Sequence, residues 1–234
     1  MQGYTIAIDG FSSCGKSTLA REIAKALNYV YVDSGAMYRA ATLYFIRKGI
    51  ITSEHFDIDM AKRGLTDIHI RFHYNKALET SETYLNDENV EAEIRSSQVS
   101  SMVSAVSAVP EVRTKMVAIQ KEMGNEGAVV MDGRDIGTVV FPNADVKLFM
   151  TASNEIRAKR RLLELQAKGE NVTLEDVKKA LEQRDHLDMN RDVSPLKKAD
   201  DAIVIDNSEL DREQQLELAL SIISKKVNHN LPAS

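Results

Sequence analysis

The chain has 234 residues, 43% hydrophobic and 28% charged, a balance that can bury a core in one α/β domain with an insertion or in two small domains. Its formal charge of −5 argues against a broad surface for a polynucleotide, while leaving room for arginines clustered around a small anion. A single cysteine excludes an intrachain disulfide and a cysteine-only metal site, and no apolar run approaches the roughly 18 residues of a membrane span; a soluble, cytoplasmic monomer with no membrane or polynucleotide partner is expected.

Thr5-Ile6-Ala7-Ile8-Asp9 reads as a buried strand, and Leu19, Ile23, Ala24 and Leu27 recur at helical spacing after it. Between them Gly10-Phe11-Ser12-Ser13-Cys14-Gly15-Lys16-Ser17 fits G-x-x-x-x-G-K-[ST] at every fixed position, with Thr18 behind it. A loop between a strand and a helix N-terminus turns backbone N–H groups outward, backed by the positive end of the helix dipole. Lys16 can then reach the terminal phosphates of a nucleoside triphosphate, and the Ser17 hydroxyl can ligate Mg²⁺. Cys14 in this loop is either a stabilised thiolate or a passive small residue.

Tyr29–Asp33 is a second strand, followed by a helix from Ala36 to about Lys48; alternation of strand and helix implies a parallel sheet. Past Gly64 the pattern changes. Apolar residues take every second place in Asp67–Tyr74, and further strand-like pieces lie near Thr83–Leu85 and Asn89–Ile94, so residues 65–95 read as an antiparallel insertion. Val99, Met102, Val103, Val106 and Val109 make residues 97–109 a helix of small residues, and Pro110 opens another that runs to about Met123. Strands follow at Ala128–Met131, which delivers Asp132-Gly133-Arg134-Asp135, and at Val146–Met150. Residues 153–191 are helical and charged, with a break near Gly169–Asn171. A last strand at Ala202–Asp206 precedes a helix from about Asp211 to Lys226, and the tail after His229 is expected to fray. Five apolar strands separated by helices define a three-layer α/β sheet, whose ligands bind where the strands' carboxyl ends meet the loops; Asp9, Asp33, Asp132 and the phosphate loop fall at such ends.

The loop alone does not choose between a kinase and a GTP-dependent switch. A guanine-reading N-K-x-D is absent, since Asn75-Lys76 is followed by Ala77-Leu78. The arginines say more, because a planar guanidinium grips phosphate oxygens two at a time. Arg39 and Arg113 lie early in helices, Arg134 sits at a strand end, and Arg157, Arg160 and Arg161 share one helix, while Arg184 and Arg191 are seven apart. His69 and His73 share a strand face without the company that a metal site needs.

Gly10–Thr18, Asp33-Ser34-Gly35-Ala36-Met37-Tyr38-Arg39, Ser104 with Pro110–Arg113, Asp132–Pro142, and Arg184 through Arg191 together resemble the bacterial-type cytidylate kinases, in order and over essentially the whole chain. The resemblance implies a three-layer P-loop kinase fold with a five-stranded parallel sheet, a small antiparallel β insertion and a helical lid. The core would be residues 1–64, 96–152 and 192–234, the insertion 65–95 and the lid region 153–191. It implies transfer of the γ-phosphoryl group of ATP to CMP or dCMP, with Mg²⁺, by Lys16, Arg134 and Arg191. Gly10 to Thr18, with Arg157 and Arg160, would bind ATP. Arg39, Arg134 and Arg191 would hold the CMP phosphate, while Ser104, Arg113 and Asp135 would read the cytosine, and Ser34, Arg184 and Asp188 would lie around the sugar and phosphate. Two departures stand in the loop: Phe11 where the family often has proline, and Cys14 where it often has a small residue. The alternatives are another small P-loop kinase with a different acceptor, for which Asp33 is a candidate base, and a non-catalytic nucleotide-binding regulator.

Overall fold

The computed structural model describes residues 3–75, 80–125 and 127–229; residues 76–79 of the expected insertion and the tail past His229 lie outside them. The chain divides into two compact units, one running to Tyr31 and resuming at Gly124, the other Val32–Met123.

In the first unit, β1 (Thr5–Gly10) leads through the glycine loop into α1 (Lys16–Leu27), and β2 (Val30–Asp33) carries the chain out of it. Ile6, Ala7 and Ile8 are fully buried, as a central strand covered by helices on both faces requires, and each isoleucine contributes about 1.5–3 kcal/mol by leaving water.

The second unit opens with α2 (Ser34–Arg47), capped by Asp33, whose Oδ1 accepts the Ala36 N–H at 2.9 Å. A short helix follows, α3 (Ile58–Gly64), capped in the same way by Asp57. Strands β3 (Ile70–Asn75), β4 (Thr80–Leu85) and β5 (Glu88–Asn89) form the expected antiparallel sheet, with Ile70 opposite Leu85 and Leu85 opposite Glu88. Asn86 and Asp87 join β4 to β5 with φ of 48° and 69°, the left-handed pair that a two-residue hairpin needs. The strand expected over Asn89–Ile94 is corrected: the strand ends at Asn89, and Glu93–Arg95 is a single 3-10 turn that buries Ile94. Helix α4 (Ser97–Ala108) confirms that the serine-rich stretch is a helix, with Val99, Val103 and Val106 buried in a core shared with Met37, Ala40, Ala41 and Phe45 of α2. Helix α5 (Pro110–Gly124) begins at its proline and ends the unit.

Back in the first unit, β6 (Val129–Gly133) and β7 (Val146–Thr151) flank β1 as parallel neighbours, and β8 (Ile203–Asp206) pairs with β7. The sheet order is β2-β6-β1-β7-β8, so the five apolar runs read from the sequence are its five strands. Helices α6 (Asn154–Ala167) and α7 (Leu174–Asn190) flank the expected break, and α8 (Arg212–His229) closes the described chain. Among the described residues, no helix is long and apolar enough to cross a membrane.

Candidate active site

Two glycines set the path of the loop after β1. Gly10 has φ 148° and lies so close to the next strand that a Cβ would sit 2.0 Å from the Met150 carbonyl oxygen. Gly15 has φ 99°, and a Cβ there would lie 2.7 Å from Asn207 Nδ2. Neither position accepts a side chain. Gly15 is also the N-cap of α1 and offers no side-chain oxygen to its first turn, so those N–H groups keep no cap of their own. The outer side of the loop is braced rather than open: Asn207 Nδ2 donates to the Cys14 carbonyl at 2.8 Å, and Arg160 Nη2 donates to the Asn207 carbonyl at 2.9 Å.

Lys16 is buried and donates to the Phe11 carbonyl oxygen at 2.5 Å, with the Cys14 sulfur 3.8 Å away. Burial first, and then the charge of Arg134, holds its pKa below that of an ordinary lysine. Cys14 is fully buried in the core of this unit, which favours the passive reading of that residue. Ser17 Oγ donates to Asp132 Oδ2 at 2.8 Å, and the Tyr31 hydroxyl donates to Asp132 Oδ1 at 2.9 Å. The hydroxyl and the carboxylate are hard oxygen donors that suit Mg²⁺, an ion usually held by one or two protein oxygens and otherwise by phosphates and water. Among the described residues no group of three or more His, Cys, Asp and Glu stands together as a metal cage, and His73 instead packs edge-on against Tyr84.

Asp9, at the end of β1, accepts the N–H groups of Ile136 and Gly137, both at 2.7 Å. These two bonds fix the turn after Arg134 and Asp135, which continues as a single π-helical segment over Ile136–Val140. Burial lifts the Asp9 carboxyl from 3.8 to about 6, helped by Asp135, against the pull of the two N–H donors and Lys16.

Arg134, so positioned, pairs through Nε with Asp188 Oδ2 at 2.8 Å. On α7, Leu181, Arg184, Asp185 and Asp188 fall within one helical face. Arg191, at the end of that helix, has Nη1 3.7 Å from Asp188 Oδ1 and Nη2 3.7 Å from Asp135 Oδ1, and donates through Nε to the Ser194 carbonyl at 2.6 Å. Burial pushes the Asp188 carboxyl up, but Arg134, Arg184 and Arg191 outweigh it and hold it below the ordinary aspartate value. On α6, Arg157 is 3% exposed and bonds the Ser12 carbonyl at 3.3 Å and Asp185 Oδ2 at 2.7 Å. Arg161 faces away to Glu164.

In the second unit, Arg39 Nη2 meets Asp33 Oδ2 at 2.7 Å, and Arg95 Nη2 lies 3.6 Å from the same oxygen. Burial pushes Asp33 up while Arg39 and Arg95 pull it down, and the arginines win, so a carboxylate that caps a helix and pairs with two cations is a poor general base. Ser34 is buried at the first turn of α2. Arg113 is 1% exposed, donates to the Ser107 carbonyl at 3.1 Å and lies with its guanidinium carbon 5.3 Å from the Tyr38 ring centroid; Ser104 stands half-buried on α4 and lends its carbonyl to Ser107.

Asp132, Asn207 and Arg95 join the site's contacts beyond the residues whose roles the motifs imply. Asp132 carried a signal, an acid at the end of an apolar strand; Asn207 carried none, because its partner comes from a distant part of the chain, and Arg95, bonded to Glu91 four residues before it, gave no sign of its second contact with Asp33.

A glycine loop that opens a helix at the end of a central parallel strand, with a buried lysine in it and arginines gathered on the following turns and helices, defines a P-loop phosphotransferase. The family model described as cytidylate kinase matches residues 6–225. Cytidylate kinases of Bacteroides fragilis (strain YCH46) and Flavobacterium johnsoniae are each 53% identical over 227 residues, covering 97% of this chain and 99% of theirs. That of Bacteroides thetaiotaomicron is 54% identical over 217 residues, covering 93% and 95%. The chain belongs to the cytidylate kinase family. A crystal structure of a gluconokinase from Sinorhizobium meliloti 1021 shares the fold alone, with a TM-score of 0.51 and 12% identity over 98% of this chain and 96% of that one.

Proposed function

We propose that this protein transfers the γ-phosphoryl group of ATP to the phosphate of CMP or dCMP. The observation that carries the reading is the gathering of cations in this unit: Lys16 lies buried in the loop, and Arg134 and Arg191 converge on Asp188, so an anion entering there meets several cations at once. Membership of the family supports it.

An oxygen of the CMP phosphate attacks the γ-phosphorus, the bond to the β–γ bridging oxygen breaks, and ADP leaves as CDP forms. The attacking group has its second pKa near about 6 and is already ionised at neutral pH, so no general base is required. The residues' work is to bring two anions into line and to neutralise charge that spreads over the transferring group. Gly10 to Thr18 cradle the ATP phosphates, and Lys16 turns from the Phe11 carbonyl toward them. Ser17, with Asp132 beside it, would hold the nucleotide's Mg²⁺, which when bound neutralises phosphate charge. Arg157 and Arg160 serve ATP, within a lid region of residues 153–191. Arg39, Arg134 and Arg191 hold the CMP phosphate, with Ser34, Arg184 and Asp188 around it and the sugar. No membrane or polynucleotide partner is proposed, and the working unit is taken to be a cytoplasmic monomer.

Base choice follows from hydrogen bonding. Cytosine presents an amino donor at C4 and acceptors at N3 and O2, and uracil presents O4 and N3–H. Asp135, buried and ionically paired with Arg191, suits the amino donor, while Ser104 and Arg113 suit the acceptors. Asp135→Ala is expected to lower kcat/KM for CMP at least about tenfold more than for UMP, since a site built to bond one edge leaves buried groups mispaired with the other. Equal losses with both acceptors would remove Asp135 from base reading.

A further inference from the structure

The guanidinium of Arg157 is taken up edge by edge. Nη1 serves the Ser12 carbonyl and Asp185, Nη2 donates to Asn154 Oδ1, and Nε, buried, has no hydrogen-bond partner among the described residues. Its central carbon lies over the Phe11 ring, 5.2 Å from the centroid, within the range where a cation is held by the ring's negative face. The same ring meets Phe149 of β7 edge-on, with centroids 6.0 Å apart and planes at 85°. Phe149 is a buried strand residue and cannot move easily. Phe11 therefore joins a rigid strand to a cation carried by a separate helix. Its own peptide neighbour, Ser12, supplies the carbonyl that the cation bonds.

We propose that Phe11 is a positioning residue: its ring seats Arg157 against the phosphate loop before nucleotide arrives. The inference rests on the reading that Arg157 serves ATP. An arginine held in place loses less side-chain freedom on binding, so the ring raises affinity for ATP without touching it.

The test is a double-mutant cycle. Phe11→Leu keeps an apolar side chain and removes the ring face; it is expected to raise KM for ATP about three- to tenfold, and KM for CMP much less. Phe11→Tyr, which restores the ring, is expected to rescue KM for ATP. In an Arg157→Met background the Phe11→Leu change should add less than about 1.5-fold. An equal rise in both backgrounds, or no rise from Phe11→Leu in the native background, would overturn the proposal. If Arg157→Met leaves KM for ATP unchanged, the ATP role of Arg157 fails, and the seating is then read separately by NMR. Arg157 side-chain protons over the ring should be shifted upfield in the native protein and in Phe11→Tyr, and not in Phe11→Leu. Unshifted signals in the native protein, or no change in Phe11→Leu, would contradict the seating itself.

Discussion

Replacing Lys16 by methionine is expected to lower kcat at least about a hundredfold while the protein stays folded. Methionine fills nearly the same volume, and a buried ammonium whose pKa is already depressed costs the fold something to keep charged, so its loss removes that penalty. What the fold loses is the hydrogen bond to the Phe11 carbonyl and a longer one to the Cys14 sulfur. On the proposed function, what the reaction loses is the loop cation that meets the charge developing on the γ-phosphoryl oxygens. The two effects separate cleanly: thermal unfolding is expected to move by a few degrees, and single-turnover transfer to fall by the full factor. Near-native turnover in the folded variant would withdraw the catalytic assignment.

Arg134→Ala is expected to lower kcat/KM for CMP by about 10²–10³, with ATP affinity changed much less. Arg134 is a mostly buried guanidinium held by a buried carboxylate, and its planar fork is the group that a phosphate oxygen would share. The variant also strands Asp188. With Arg134 gone, the strongest force holding that carboxyl below its ordinary pKa disappears, and burial pushes it upward. In the native protein a depressed Asp188 stabilises the fold above its unfolded pKa, and that contribution is lost as pH falls through the folded value. In Arg134→Ala this contribution is diminished at neutral pH, so the variant should be less stable near pH 7 than the native chain and closer to it under acid. Titration calorimetry for ATP beside steady-state kinetics for CMP separates binding of donor from binding of acceptor. A loss confined to ATP would place Arg134 at the other phosphate.

The parts of this protein that the sequence made legible are those whose cause is local. Ile6 to Ile8 and Val129 to Met131 are apolar on every residue because both faces of the sheet are covered, and the glycines at 10 and 15 are required by backbone geometry. Val99, Val103 and Val106 betrayed a helix through a serine-rich stretch. Helix α3 was missed although Asp57 caps it, since seven residues carry too little periodicity to outweigh the loop signals around them. The strand expected over Asn89–Ile94 ended early: after one more bond to β4, from the Val90 N–H to the Thr83 carbonyl, the chain turns into the 3-10 turn at Glu93–Arg95, a tertiary limit with no trace in the residues themselves. The π-helical turn at Ile136–Val140 depends on a carboxylate 127 residues away. In the site, residue types pointed to phosphate chemistry correctly, but the pairing of each arginine did not follow from spacing: Arg157 and Arg161, one turn apart on α6, face a buried aspartate and an exposed glutamate.

The central claim is that the acceptor is a cytidine monophosphate, and the most direct test is steady-state turnover of the unaltered protein with ATP and Mg²⁺ across CMP, dCMP, UMP, AMP, GMP and dTMP. The account expects CMP and dCMP to be phosphorylated, UMP more weakly, and AMP, GMP and dTMP hardly at all, with ADP and the acceptor diphosphate formed one to one. Preferred phosphorylation of AMP, or of a hydroxyl acceptor that is not a nucleotide, would contradict it, and turnover of no acceptor would leave only a nucleotide-binding protein.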